Sequence, residues 1–264
     1  MLSSLVDSTR SAFQEGQSSL DSIVLGHEMI HYCLSKKIET YILKIGFMKS
    51  FDRVSWNFIL SLLKARGRLE VLVLYGAKWI EHILALSKSS VIVNDYLTNT
   101  FDCYRCLKQD DPLSPMCFIL AADILNRMLI SSVNSGDLAE LHLKRRLNDI
   151  WSLQFADDTL IFCRADHQNV STLESILYLF NDVSGIAINY IKSNLSYSWK
   201  HFDRGASLAI IMNCSLSSPF KYLVLPLKND PLLSKTSSLS STPSIGNYYC
   251  GKPNAYLLVG ELSF

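Results

Sequence analysis

Apolar runs separated by Gly, Pro and short polar clusters divide most of this chain into segments of helix or strand length. Apolar positions recur at helical spacing over 21–36, with Ser18 or Ser19 placed to start the helix. A strand is expected over 41–47. A helix follows over 56–66, ended by Gly67, and another over 77–86. Residues 89–94 and 99–104 read as a hairpin folded across Asp95-Tyr96. A long helix is expected over 114–133, with Pro115 in its first turn. Two short β-rich runs, 150–154 and 159–163, flank a tight turn. A helix over 168–182 and a strand over 186–190, closed by Lys192, complete the pattern. This alternation of sheet and helix predicts an α+β fold. After Leu227 the pattern stops. Residues 229–243 are rich in Ser, Thr and Pro without a period and read as loop or disorder.

Composition narrows the picture. A chain of 264 residues can bury a real core in one or two domains. The apolar fraction of 48% and charged fraction of 19% exclude a wholly disordered chain. A net charge of +1 gives no global electrostatic argument for nucleic-acid binding. One local run, His142-Leu143-Lys144-Arg145-Arg146, is basic enough to touch a phosphate backbone or to be a solvated turn. Residues 1–14 lack the apolar segment of a secretory signal. No stretch reaches about 18 uncharged apolar residues, so no membrane span is expected, and an intracellular location, cytoplasm or nucleus, is the default. Residues 116–130 are the most apolar, but Asp123 and Arg127 interrupt them, as in a buried amphipathic helix. The seven cysteines are scattered and odd in number, which argues against a disulfide framework and for a reducing compartment.

Candidate chemistry concentrates in the turn Phe155-Ala156-Asp157-Asp158. Two adjacent carboxylates at a hairpin tip repel unless something offsets their charge. A Mg²⁺ ion does so and keeps waters and substrate phosphates as its remaining ligands. An ordinary Asp-rich turn is the plainer alternative. Two other patterns compete. His27-Glu28-Met29-Ile30-His31 is a literal H-E-x-x-H on an expected helix, the arrangement of a zinc peptidase, but no third ligand follows at a persuasive spacing. Cys103-Tyr104-Arg105-Cys106 has metal or redox spacing with no second Cys or His pair nearby, and reads as accident.

Six segments, in order, add a further signal. They are Ser11-Ala12-Phe13-Gln14-Glu15-Gly16-Gln17-Ser18-Ser19-Leu20-Asp21, the 43–56 segment with Lys49-Ser50-Phe51-Asp52-Arg53-Val54-Ser55-Trp56, and the 105–115 segment with Gln109-Asp110-Asp111-Pro112-Leu113-Ser114-Pro115. The Asp-Asp turn, Ser184-Gly185-Ile186-Ala187-Ile188-Asn189-Tyr190-Ile191-Lys192-Ser193 and Tyr222-Leu223-Val224-Leu225-Pro226-Leu227 complete the series. In this order the chain resembles the reverse transcriptase of non-LTR (LINE-type) retrotransposons, especially the plant kind, over roughly residues 11–227. The resemblance implies a polymerase palm of antiparallel sheet and packed helices over 41–228, with partial fingers over 1–40. It implies RNA-templated DNA synthesis with a DNA primer, deoxynucleoside triphosphates and two Mg²⁺ ions, roughly 4 Å apart in such sites.

The resemblance also assigns roles. Asp157 and Asp158 would be metal ligands, Asp157 the more important. Lys192 would protonate pyrophosphate or hold its charge; a solvated lysine after a strand is the alternative. Phe51 falls at an aromatic gate against a ribose 2′-hydroxyl, and a core aromatic is the equal alternative. Arg105 and Gln109 would line the nucleotide site, and Tyr222-Leu223 resembles the primer grip. Departures are as telling. The family's third metal-binding Asp falls at position 46, where this chain has Gly46. Asp52 lies beyond the strand end and is no obvious substitute. Asp110, Cys106 and Val224 stand where Gly is usual, and Gln17 where Arg is. Losing one metal ligand of three plausibly costs several kcal/mol of transition-state stabilisation. The expectation is an impaired enzyme or a non-enzymatic remnant that at most binds nucleic acid.

The family continues into a helical thumb, which 229–264 does not resemble. Codons for Cys250 onward, read from each third base, can yield Trp-Lys-Ala-Lys-Cys-Leu-Ser-Ile-Gly-Gly-Arg, a string like the family's downstream sequence. An irregular tail out of frame is therefore expected over 229–264.

Overall fold

The computed structural model describes residues 19–67, 71–108, 111–139, 141, 152–197, 202–217, 220–223 and 225–227. By its contacts the chain divides after Asp230, and all these residues lie in the first unit, Met1–Asp230. The expected tail, the basic run at 142–146 and the pair Gln109-Asp110 fall outside the described residues.

Helix α1 (Ser19–Ser35) leads into strand β1 (Thr40–Gly46), the short helix α2 (Ser50–Arg53), then α3 (Trp56–Gly67) and α4 (Val71–Ala85). A ribbon follows, of β2 (Lys88–Ser89), β3 (Ile92–Val93), β4 (Tyr96–Leu97) and β5 (Phe101–Asp102). Next come α5 (Leu113–Asn134), β6 (Ser152–Phe155), β7 (Asp158–Arg164) and α6 (His167–Ser184). The remaining elements are β8 (Asn194–Tyr197), α7 (Phe202–Ile211), β9 (Ser215–Leu216), β10 (Phe220–Tyr222) and β11 (Leu225–Leu227). The main sheet has the order β6-β7-β1-β8-β9, antiparallel except for the β8–β9 pair. The fold is α+β, as the periodicity predicts.

Strand β1 is central, with neighbours on both edges, and its residues are buried on both faces except for the half-buried Lys44. On one face Phe47 packs edge-on to Phe118 of α5, at 6.4 Å between ring centroids, and near Phe180 of α6. On the other face α1 crosses the sheet at Gly26, where an added Cβ would touch Leu153 and Leu160. α5 is long and apolar enough to cross a membrane by length and composition. It lies instead in the core, where its buried Asp123 accepts a 2.6 Å hydrogen bond from Arg127 one turn on. The charges that interrupt its apolar run thus answer each other.

Three elements depart from the sequence expectation. α4 begins at Val71, not at 77. The ribbon turns at Asn94-Asp95, one residue earlier than expected. Both residues have φ above zero, at 50° and 66°, which Asn and Asp tolerate and Tyr96 would not. Residues 186–190 form no strand, only a single bridge from Ile188 to Phe47. The strand that pairs with β1 is β8, just downstream.

α6 is held at both ends. The Asp166 carboxylate accepts from the Asn169 backbone N–H, and Gly185 closes the helix at φ 76°. An added Cβ at Gly185 would sit 2.5 Å from the Arg53 carbonyl oxygen. Left-handed backbone alone costs an L-residue roughly 1–2 kcal/mol, and this clash adds to it. Gly185→Ala is therefore expected to lower the urea midpoint by the equivalent of more than about 2 kcal/mol. An unchanged midpoint would show that the α2–α3 junction yields freely.

Candidate active site

The β6–β7 hairpin closes with Phe155 opposite Asp158, so Ala156 and Asp157 form a two-residue loop. Ala156 takes φ 51°, a left-handed value that a small residue meets with least crowding, and its carbonyl accepts from Gln154 Nε2 at 3.3 Å. Asp157 is exposed at this tip, and Asp158 is the first residue of the returning strand.

Strand register then decides the surroundings. β7 runs antiparallel to β1 without a slip, from Thr40 opposite Arg164 to Gly46 opposite Asp158. Lys44 precedes Gly46 by two and shares its face. Its ammonium reaches diagonally to Asp158, Nζ to Oδ1 at 3.3 Å. Burial pushes the Asp158 carboxyl above its ordinary value, Lys44 pulls it back, and Asp157 pushes it up further.

Gly46 sits in a notch. Its N–H faces Ser193 Oγ at 3.3 Å and its carbonyl accepts from the Asn189 N–H at 2.8 Å. A Cβ built at Gly46 would lie 3.5 Å from Lys192 Cβ and 3.9 Å from the Lys192 carbonyl oxygen, both ordinary contacts. A side chain can therefore begin at position 46, where the resemblance expects an aspartate, without a clash at its Cβ. Lys192 borders the notch, with its side chain exposed.

The remaining expected residues fall elsewhere. Phe51, in α2, stacks on Phe118 at 5.0 Å between centroids, so its ring is fixed by the core. Arg105 is exposed, in a bridge with Ser55. The neighbouring backbone is tied to α2 and α3: Leu107 N–H donates to the Phe51 carbonyl at 2.7 Å, and Trp56 Nε1 to the Cys106 carbonyl at 2.9 Å. Cys106 has φ 87°, the physical reason a glycine suits that position. Its thiol points to Asp52, Sγ to Oδ1 at 3.7 Å, so Asp52 belongs to this cluster and supplies no replacement for position 46. Tyr222 is fully buried, its hydroxyl without a hydrogen-bond partner among the described residues. Burial, with the Asp158 charge nearby, pushes its phenol up. A ring so enclosed supports the site from within and has no face to offer a primer in this conformation. Leu223 carries the left-handed turn of the β10–β11 hairpin, at φ 47°.

Among the described residues no three His, Cys, Asp or Glu side chains converge as a metal site would require. His27 is half-buried while Glu28 and His31 are exposed, so the H-E-x-x-H pattern assembles no centre. At the hairpin the donor set is likewise incomplete: position 46 offers no side-chain oxygen, its carbonyl is taken by the Asn189 N–H, and one oxygen of Asp158 already faces an ammonium. These residues do not fit a pair of divalent ions. Lys44 escaped the sequence reading, although its spacing of two from position 46 on a strand was the signal that places it on the same face.

Comparison with known proteins adds a family. A family model for reverse transcriptase (RNA-dependent DNA polymerase) matches residues 1–227. Among solved structures, a telomerase from Candida tropicalis, determined in complex with a TWJ fragment of telomeric RNA, is similar with a TM-score of 0.53. The identity is 12% over 86% of this chain, and the match spans 35% of the telomerase chain. At that identity the likeness speaks for the fold alone, which is that of a reverse-transcriptase-like polymerase domain.

The raised Asp158 carboxyl has a pH signature. The folded chain holds this proton more tightly than the unfolded chain. The resulting stabilisation is complete below the ordinary value of 3.8 and is lost as pH rises through the higher folded value. Asp158→Asn removes this dependence. The stability of the native sequence minus that of the variant is expected to fall from acid to neutral pH, measured by urea unfolding. A difference that rises with pH would contradict the burial argument.

Proposed function

The chain belongs to the reverse transcriptase family, and we propose that it is the palm, with part of the fingers, of a LINE-type retroelement reverse transcriptase whose polymerase chemistry is crippled at position 46. The LINE-type assignment rests on the six ordered motifs, from the Ser11 segment to Tyr222-Leu223. The impairment rests on one observation above all: Gly46, with no side chain to ligate a metal, lies directly opposite Asp158 in the sheet, where a Cβ would meet only ordinary contacts.

In this reading residues 1–40 belong to the fingers and 41–228 to the palm. The partners are an RNA template, a DNA primer and deoxynucleoside triphosphates. Asp157 is the principal surviving carboxylate, exposed where a substrate can approach. Lys192, whose backbone borders Gly46, is the residue this reading assigns to the charge of a departing pyrophosphate. Phe51, pinned by its stack on Phe118, is the gate residue of this reading, and Arg105 and Gln109 are its other nucleotide-binding residues. Tyr222 and Leu223 shape the primer side from beneath, through the backbone of their turn.

Family sites of this kind use divalent ions to activate the 3′-hydroxyl and stabilise the leaving group. The side chains present here do not complete such a centre, so the chain as it stands is expected to add no nucleotide. The test is deoxynucleotide incorporation on an RNA template with a DNA primer, in Mg²⁺ and in Mn²⁺, with Asp157→Ala as the blank. The native chain should match the blank. Gly46→Asp should raise incorporation by several powers of ten, since restoring one ligand is worth about several kcal/mol in the transition state. Incorporation by the native chain above the blank would overturn the impairment. Silence of Gly46→Asp would move the assignment to a remnant that holds nucleic acid without copying it.

A further inference from the structure

Asp157 and Asp158 are adjacent in sequence and opposite in circumstance. Asp157 is exposed at the loop and makes no hydrogen bond or ion pair among the described residues. Asp158 is drawn into the strand, its side chain 30% exposed, with one oxygen against the Lys44 ammonium. Lys44 is itself only 17% exposed, on the central strand between β7 and β8, and Asp158 is its only ion-pair partner among the described residues.

We propose that Lys44 is the positioning residue of this site, and that its ammonium takes the place at Asp158 that a divalent cation would need. The inference rests on reading the hairpin as the relic of a metal-binding centre. It differs from that reading in assigning Asp158 to a lysine and leaving Asp157 as the sole free carboxylate.

The geometry favours the ammonium for three reasons. The register holds it there: Lys44 is diagonal to Asp158 across the β1–β7 pair, within reach of a long side chain. Its charge needs little company, because an ammonium is a compact point charge with three donors. A magnesium ion instead demands a near-octahedral set of oxygens. Finally, a cation fixed to the chain acts at a high effective concentration, whereas a free ion must be recruited. With Gly46 offering no side-chain oxygen and its carbonyl bonded to the Asn189 N–H, a recruited ion gains too little to displace it.

Binding of Mn²⁺ alone to the full chain, followed by loss of the free-ion electron paramagnetic signal, tests this without any polymerase step. Lys44→Met should bind Mn²⁺ roughly tenfold more tightly than the native chain, the scale on which a ligand's orienting partner alters metal affinity. Lys44→Arg should bind as the native chain does, and adding Asp158→Asn to Lys44→Met should erase the gain. Equal affinity in the native and Lys44→Met chains would overturn the proposal, as would a gain that survives Asp158→Asn. If Lys44→Met fails to fold, Asp158→Asn alone decides. A carboxylate already committed to lysine contributes nothing to Mn²⁺ binding, so this variant should bind as the native chain does, and a weakened affinity would overturn the assignment. Incorporation by the native chain would sink the impaired-polymerase reading yet leave these affinities to be read on their own.

Discussion

Seven consecutive residues of β1 meet seven of β7 without a bulge, and this pairing governs what the rest of the molecule can do. Side chains alternate faces along a strand, so a slip of one residue would turn every side chain over. The alternation is locked from both sides. Tyr41, Leu43 and Ile45 are buried on one face, and Ile42 with Leu160 on the other. Helix α5 anchors the first face, where Ser152 of β6 donates to Asn126 Oδ1 at 2.9 Å. Helix α1 anchors the second at Gly26. Only at the hairpin end does the covering stop, and there the register delivers Lys44, Gly46 and Asp158 to one face. The site is thus a by-product of core packing: its side chains are placed by residues that never touch a substrate.

Legibility in the sequence followed the range of the interactions. Helices α3 and α6 were readable because their signals are local: Trp56 and the periodic residues after it, ended by Gly67, and the glycine at 185. The Asp-Asp hairpin was readable because strand-forming runs flank a short polar turn. The first turns of α4 were not, since Val71-Leu72-Val73-Leu74-Tyr75 is an apolar run whose residues favour strand as readily as helix. Strand β8 was missed for the opposite reason. Asn194-Leu195-Ser196-Tyr197 has no strong strand propensity, and it becomes a strand because Leu195 and Tyr197 complete the face that β1 begins. Of the site, the two carboxylates were visible and so was the gap at 46. The partnership of Lys44 was not, because it depends on which strand lies beside which. The burial of Tyr222 was hidden likewise, in contacts among distant segments.

Backbone strain marks the neighbourhood of the site. Ala156, Cys106 and Leu223 all hold φ above zero, where a side chain costs roughly 1–2 kcal/mol relative to glycine. At Cys106 the strain persists because the surrounding bonds leave no alternative: Leu107 is tied to Phe51, Trp56 to the Cys106 carbonyl, and Ser55 to Arg105. The fold thus holds a conformation suited to glycine at a position occupied by cysteine.

Electrostatics complete the argument. Three carboxylates converging on one spot repel, and such a site is at ease only with cations between them. With glycine at 46 the convergence is reduced to two. The structure disposes of these separately, giving Asp157 to solvent and Asp158 to Lys44. Solvent meets the first charge, and Lys44 offsets only part of the burial cost of the second. On the proposed reading, a glycine in place of the third carboxylate does more than subtract a ligand, because it also removes repulsion that favours a bound metal. On that reading position 46 matters in two ways: it withholds a ligand, and it leaves Asp158 to be met by Lys44 across the same strand pair.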